Sequence, residues 1–135
     1  MVFNEKGILD WESKELDVFR GDQFDPAYLK LNPKAVVPTL VDENGVLIES
    51  TVIAEYLDDI FPEPPLRPST PFDLAQMRLY SKACDEGLHQ ATGVMSFSAM
   101  FIDRLRKLPP DQLKSHLDHI IDLDRRDRQI AILEH

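Results

Sequence analysis

The spacing of apolar residues changes along the chain, and each change predicts a new element. From Val36 to Val41 the run is apolar and β-branched, which predicts a buried strand. Asn44-Gly45 then predicts a hairpin with a type I′ turn, whose two central residues need positive φ. Val46 to Ile48 is the return strand. After it the period widens. Ile53, Tyr56, Leu57 and Ile60 keep the i, i+3, i+4, i+7 spacing of one helix face, with Ser50 as the N-cap.

The flanks follow the same logic. Met1 to Lys6 reads as the tail of a helix that Gly7 stops. Asp10 to Val18 is a weak strand. It carries Glu12, Lys14, Glu15 and Asp17 and offers only Trp11, Leu16 and Val18 for burial, a pattern that suits a sheet edge. Asp25-Pro26 predicts a helix start, with Asp as cap and Pro at the first helical position. The helix, Ala27 to Leu31, ends at Asn32-Pro33.

Five of the ten prolines lie between Phe61 and Pro71, a stretch with neither helical nor strand periodicity. It predicts a semi-rigid linker. Thr70-Pro71-Phe72-Asp73 opens a long helix reaching toward Lys107, with Met77, Tyr80, Cys84, Leu88, Ala91, Met95, Ile102 and Leu105 as its apolar stripe. Gly87 and Gly93 would let it bend or admit a close neighbour, and Pro109-Pro110 ends it. Asp111 to Ile121 is a further amphipathic helix with Leu113, Leu117 and Ile120 or Ile121 inward. Asp124 caps a last helix carrying Ile130, Ile132 and Leu133. The domains expected are therefore 1–61 and 72–135, joined by 62–71. Both chain ends, at Met1 and His135, fall inside predicted helices, so a truncated chain is expected.

Composition narrows the partners. The 135 residues carry a formal charge of −9, with 43% hydrophobic positions. That balance argues against nucleic acid, whose phosphates call for basic patches, and against an anionic membrane surface. No apolar run approaches the roughly 18–20 residues of a spanning helix. Met1 to Gly7 lacks the charged-then-apolar pattern of a secretory signal. Cys84 is the single cysteine, so no internal disulfide can form and a reducing, cytoplasmic location is expected.

Two dipeptides carry candidate chemistry. A proline inside a buried strand, at Val37-Pro38, removes a ladder donor and is normally confined to edges, starts or bulges. If that bond is cis, the Val37 N–H and C=O turn outward and can pair with an extended peptide as an added strand. A trans proline at a strand start is the plainer alternative. Glu49-Ser50 opens a helix, where unpaired N–H groups and the positive dipole end hold a carboxylate. The Ser50 hydroxyl adds a donor, and Glu49 can accept from an ammonium. An ordinary serine cap is the plainer alternative there.

The ordered set Asn-Pro-x-x-x-Val-Pro-x-Leu, Asn-Gly, Glu-Ser-x-x-Ile-x-x-Tyr-Leu and a Pro-rich linker into a long helix resembles the cytosolic glutathione transferases. The resemblance covers nearly the whole chain. It implies an α/β thioredoxin-like N-terminal domain, here without its first strand, and part of an all-α C-terminal domain. It also implies glutathione as co-substrate. Val37, before the cis-proline Pro38, would pair with its cysteinyl part, and Glu49 and Ser50 would hold its γ-glutamyl end. Val36 stands where many members have Lys or Gln for the glycine carboxylate, so either Lys34 reaches that group instead or the contact is lost. The stretch Glu-Ser-Thr-Val-Ile-x-Glu-Tyr-Leu-x-Asp-x-Phe-Pro, with the helical segment from Asp111 to Arg128, resembles a bacterial branch that includes glutathione-dependent β-aryl etherases.

The implied activity is conjugation of the glutathione thiol to a small, electrophilic, apolar or aromatic acceptor, as in detoxification, by a homodimer. The alternatives are a non-catalytic binding or assembly module and a β-etherase or lyase. The thiol-activating Ser, Cys or Tyr of the family would lie upstream of Met1, and Ser13 and Cys84 are in the wrong places for it. No catalytic residue is therefore assigned. A part of a longer chain, a deletion form or a poorly stable product is expected.

The remaining candidates are weaker. His116, His119 and Asp122 share a helical spacing that can hold a metal, but a solvated polar face is the stronger reading, so no metal site is assigned. Asp124 to Arg128 alternates charge and reads as a self-paired surface. Cys84 reads as a small buried hydrophobe. Tyr80 and His89 face either an acceptor pocket or a packed interface.

Overall fold

The computed structural model describes residues 2–18, 20–120 and 122–134. The expectations for Met1, Ile121 and His135 lie outside the described residues. By its contacts the chain divides into two compact units, Met1–Lys82 and Ala83–His135.

In the first unit, α1 (Val2–Glu5) stops at Gly7, whose φ is 66°. The next residue, Ile8, donates its N–H back to Phe3 O at 2.9 Å, closing the helix end. The weak strand expected from Asp10 to Val18 does not form. That segment is irregular, and Trp11 instead stacks on Phe3 with ring centroids 4.6 Å apart. A strand needs a neighbour for its ladder, and no strand among the described residues pairs with this segment.

Asp25 caps α2 (Pro26–Leu31), its Oδ1 accepting the Ala27 N–H at 2.7 Å. β1 (Thr39–Asp42) and β2 (Gly45–Ile48) pair antiparallel, with Thr39 opposite Ile48 and Asp42 opposite Gly45. The first strand thus starts at Thr39, not Val36. The hairpin forms as predicted, but its turn is Glu43-Asn44, one residue early. Of Asn44 and Gly45, only Gly45 takes a positive φ, 137°. The reason is Asp42, whose Oδ1 accepts the N–H of Asn44 at 2.8 Å and of Gly45 at 3.1 Å. This side-chain-closed turn removes the need for two left-handed residues.

The helix α3 (Ser50–Ile60) buries Ile53 and Leu57, as its period predicts, but leaves Ile60 exposed. Asp58 is buried in its place. The Lys6 ammonium, whose side chain is fully buried, pairs with Asp58 and also donates to Pro64 O at 2.6 Å. Asp58 further accepts the Leu66 N–H at 2.9 Å and faces Arg67 Nε at 3.1 Å. Residues 61–70 form no helix or strand, in line with their prolines. These polar contacts clamp them onto α3.

Thr70 starts α4 (Pro71–Ala83). Its hydroxyl oxygen accepts the Asp73 N–H at 3.2 Å, and the hydroxyl donates to Asp73 Oδ2 at 2.7 Å, as the capping pattern predicts. Arg78 on α4 holds Glu55 on α3 through Nε and Nη2, at 3.1 and 2.6 Å from Oε2.

The second unit continues the long helix. A π-helical turn (Cys84–Leu88) leads into α5 (His89–Ser96), a second π-helical turn (Phe97–Phe101) and α6 (Ile102–Leu105). Each wider turn shifts the helix face, so the predicted stripe does not stay on one side. Leu105 is buried, whereas Tyr80, Leu88 and Met95 are exposed, and Phe97, off the stripe, is buried. Cys84 is half-buried, not buried. Gly87 lies in the first wide turn, and among the described residues nothing approaches Gly87 or Gly93 closely.

α7 (Pro110–Asp118) and α8 (Leu123–Glu134) follow. Asp122, not Asp124, caps α8, its Oδ1 accepting the Arg125 N–H at 3.0 Å. No helix among the described residues is long and apolar enough to cross a membrane.

Candidate functional site

The loop between α2 and β1 is built around Asn32, which is fully buried. Its Nδ2 donates to Val36 O at 2.7 Å and to Thr39 Oγ1 at 3.1 Å, while its Oδ1 accepts the Lys34 N–H at 3.1 Å. Tyr28 doubles the hold from α2, donating to Val36 O at 2.6 Å and meeting Thr39 Oγ1 at 2.9 Å. Both residues hold the Val36 carbonyl before Val37-Pro38 and the Thr39 hydroxyl after it. In the sequence Asn32 marks only a helix end.

The Val37–Pro38 bond is cis, and Val37 is 53% exposed. Among the described residues no hydrogen bond engages the Val37 backbone. The hairpin register pairs Thr39 with Ile48, so Val37-Pro38 and Glu49-Ser50 extend from the same end of the sheet. Glu49, not Ser50, occupies the cap position of α3, with φ 72° and ψ 115°, and its side chain caps nothing. Its C=O accepts the Ile53 N–H at 2.9 Å. Ser50 is the first helical residue and is exposed. Lys34 crosses from the α2–β1 loop, placing Nζ 2.5 Å from Glu49 Oε1. All five residues singled out from the sequence therefore come together at one end of the hairpin.

The other end is tied by Tyr56, whose hydroxyl donates to Asp42 Oδ2 and accepts from Asn44 Nδ2, the latter at 3.0 Å. The Tyr56 hydrogen bond, helped by the Asn44 and Gly45 amides, holds the Asp42 carboxyl below the usual carboxylate range, and Asp42 in turn pushes the Tyr56 phenol up. In Tyr56→Phe the Asp42 carboxyl is expected to titrate at higher pH than in the wild type. An unmoved NMR titration of Asp42 would remove Tyr56 from this role.

The other candidates lie apart from this cluster in sequence. Tyr80 and His89 are exposed on the long helix. Burial, followed by the charge of Arg125, pushes the His116 imidazole below its ordinary value. His119 Nδ1 lies 2.5 Å from Ser115 O. Among the described residues no group of three or more His, Cys, Asp or Glu is placed to hold a metal ion.

Residues 1–65 match the family model for the glutathione S-transferase N-terminal domain. Protein LigF of Sphingobium sp. (strain NBRC 103272 / SYK-6) is 34% identical over 84% of this chain and 45% of its own length. A zeta-class glutathione S-transferase of Euphorbia esula is 32% identical over 83% of this chain and 48% of its own. The chain thus spans about half the length of these relatives. The crystal structure of the β-etherase LigF superposes with a TM-score of 0.87 at 29% identity, covering 98% of this chain and 56% of that one. The glutathione transferase URE2P6 of Phanerochaete chrysosporium, solved with oxidized glutathione, superposes with a TM-score of 0.58 at 28% identity, covering 98% and 58%. The small sheet with its helices matches the thioredoxin-like N-terminal domain of this fold, and the helices that follow match its all-α part. The chain belongs to the glutathione transferase superfamily, close to the branch that LigF represents.

Proposed function

We propose that this chain holds glutathione for reaction of its thiol with an electrophilic apolar or aromatic acceptor. Residues 1–61 act as the glutathione-holding domain, 62–71 as the linker and 72–135 as helical support. The observation that carries this reading is the unengaged Val37 backbone beside the exposed Ser50 at the start of α3. An extended peptide can add to the Val37 N–H and C=O as a short strand. Its γ-glutamyl carboxylate then meets the positive end of α3 and the Ser50 hydroxyl. Glu49 receives the α-ammonium, and Lys34, whose Nζ lies 2.5 Å from Glu49 Oε1, is the cation that can turn to a second carboxylate once that pair opens.

The cysteinyl sulfur is left facing outward. A thiol near pKa 8.5 reacts as its thiolate. Attack on the acceptor carbon forms a C–S bond as the leaving group departs with its electron pair. A second reading, cleavage of an aryl ether by the same thiolate with the aryloxide as leaving group, draws support from the likeness to LigF over most of the chain.

Retention of the full chain on immobilised glutathione tests the binding step, and absence of retention would sink it. A conjugation assay with an electrophilic aromatic probe then separates a transferase from a binding module. Release of a phenol from a model aryl ether decides for the second reading. Ser50→Ala is expected to weaken glutathione binding about ten- to a hundredfold, as loss of one hydrogen bond to a charged group does, with the fold intact by circular dichroism. Equal affinity would reduce Ser50 to the first residue of a helix.

A further inference from the structure

The pairing of Lys34 with Glu49 has a chemical meaning for the proposed ligand. Glu49 is the carboxylate nearest in sequence to the exposed start of α3, and Lys34 Nζ already lies 2.5 Å from its Oε1. A primary ammonium thus occupies the place where the α-ammonium of a γ-glutamyl group would go. Ala35 and Glu49 are the non-glycine residues with positive φ among those described, at 53° and 72°. One is the neighbour of Lys34 and the other is its partner. Backbone strain of this kind persists where the surrounding structure imposes it, and it gathers at ligand clamps. Here Asn32 imposes part of it, by taking the Lys34 N–H on its Oδ1 and the Ala35 N–H on its backbone oxygen at 3.0 Å.

We propose that Lys34 is a specificity-determining residue that fills the ammonium seat on Glu49 in the empty site and is displaced by the α-ammonium of glutathione. This rests on the glutathione reading above. Both side chains are about half exposed, so the internal pair is weak and opens readily. A ligand with an ammonium replaces it ion for ion. A ligand without one must either leave the pair closed or break it uncompensated. Lys34 therefore sets how strongly the site prefers an amino-bearing ligand.

The test compares two ligands on the whole 135-residue chain. One is glutathione. The other is its analogue lacking the α-amino group, glutaryl-cysteinyl-glycine. The ratio of their affinities cancels anything Lys34 does for the carboxylates, which both ligands carry. In Lys34→Met the ratio is expected to rise about two- to fivefold in favour of glutathione, because Glu49 no longer has an internal partner. Lys34→Arg should keep the wild-type ratio, and Glu49→Gln should lower it. An unchanged or reduced ratio in Lys34→Met, with glutathione still bound, would overturn this proposal alone. Failure of the wild type and of Lys34→Met to bind either ligand would overturn the glutathione reading, and this proposal with it.

Discussion

Lys6→Met is expected to destabilise the first unit by about 3 kcal/mol. Methionine keeps the apolar stem but leaves the Asp58 carboxylate, 6% exposed, without its ammonium partner. Breaking one side of a buried ion pair costs about 3–5 kcal/mol, and Arg67 Nε at 3.1 Å places the expected loss at the low end. The Pro64 carbonyl loses its donor as well.

The pH dependence isolates the cause. The Lys6 hydrogen bond, then the Leu66 amide and the Lys6 and Arg67 charges, hold the Asp58 carboxyl below its ordinary value. A depressed carboxylate pKa stabilises the fold above the unfolded value, near pH 4, and that stability is lost as pH falls through the folded value. The gap between wild type and variant should therefore be full at pH 7 and close in acid below about pH 4. Urea denaturation followed by the fluorescence of Trp11, the one tryptophan, reads this directly, because Trp11 stacks on Phe3 in the helix that precedes Lys6. A gap that stays constant down to pH 3 would acquit the pair.

Asn32→Ala is expected to cost about 2–4 kcal/mol and to loosen the loop that carries Val37-Pro38. The variant opens a small cavity at a fully buried position and leaves the Lys34 N–H without its acceptor. Val36 O and Thr39 Oγ1 keep Tyr28 as a partner, which limits the loss. Tyr28→Phe, which removes only this second hold, should cost about 1 kcal/mol. Amide hydrogen exchange over residues 34–39 should accelerate much more in Asn32→Ala than in Tyr28→Phe. Equal protection in the two variants would show that Asn32 does not organise the loop. If Asn32→Ala also lost glutathione retention while Tyr28→Phe kept it, loop order and ligand capture would be joined.

These two residues mark where reading along the chain stops. Lys6 looks like the last residue of a helix tail, and Asn32 like a helix end before proline. Each is set in its role by a partner far along the chain: Asp58 and Pro64 for Lys6, Thr39 on the first strand for Asn32. Apolar spacing predicts Ile53, Leu57 and Ile60 on the inner face of α3; Ile53 and Leu57 are buried, whereas Ile60 is exposed and Asp58 is buried instead. Burying a charge depends on whether a counter-charge arrives from elsewhere, which no local pattern encodes.

By itself the sequence determined the hairpin, the helix that follows it, the proline-rich break and the capped start of the long helix. All rest on neighbours within a few residues: Asn-Gly, Glu-Ser, Thr-Pro-x-Asp and helical spacing. The ordered motifs also determined the superfamily. Only the tertiary structure decided that Asp10 to Val18 is no strand, that Glu49 rather than Ser50 caps α3, and that Lys34 closes on Glu49. Local propensity acts over one turn of chain, whereas a strand ladder, a buried ion pair and the Lys34–Glu49 contact each need two segments brought together by folding.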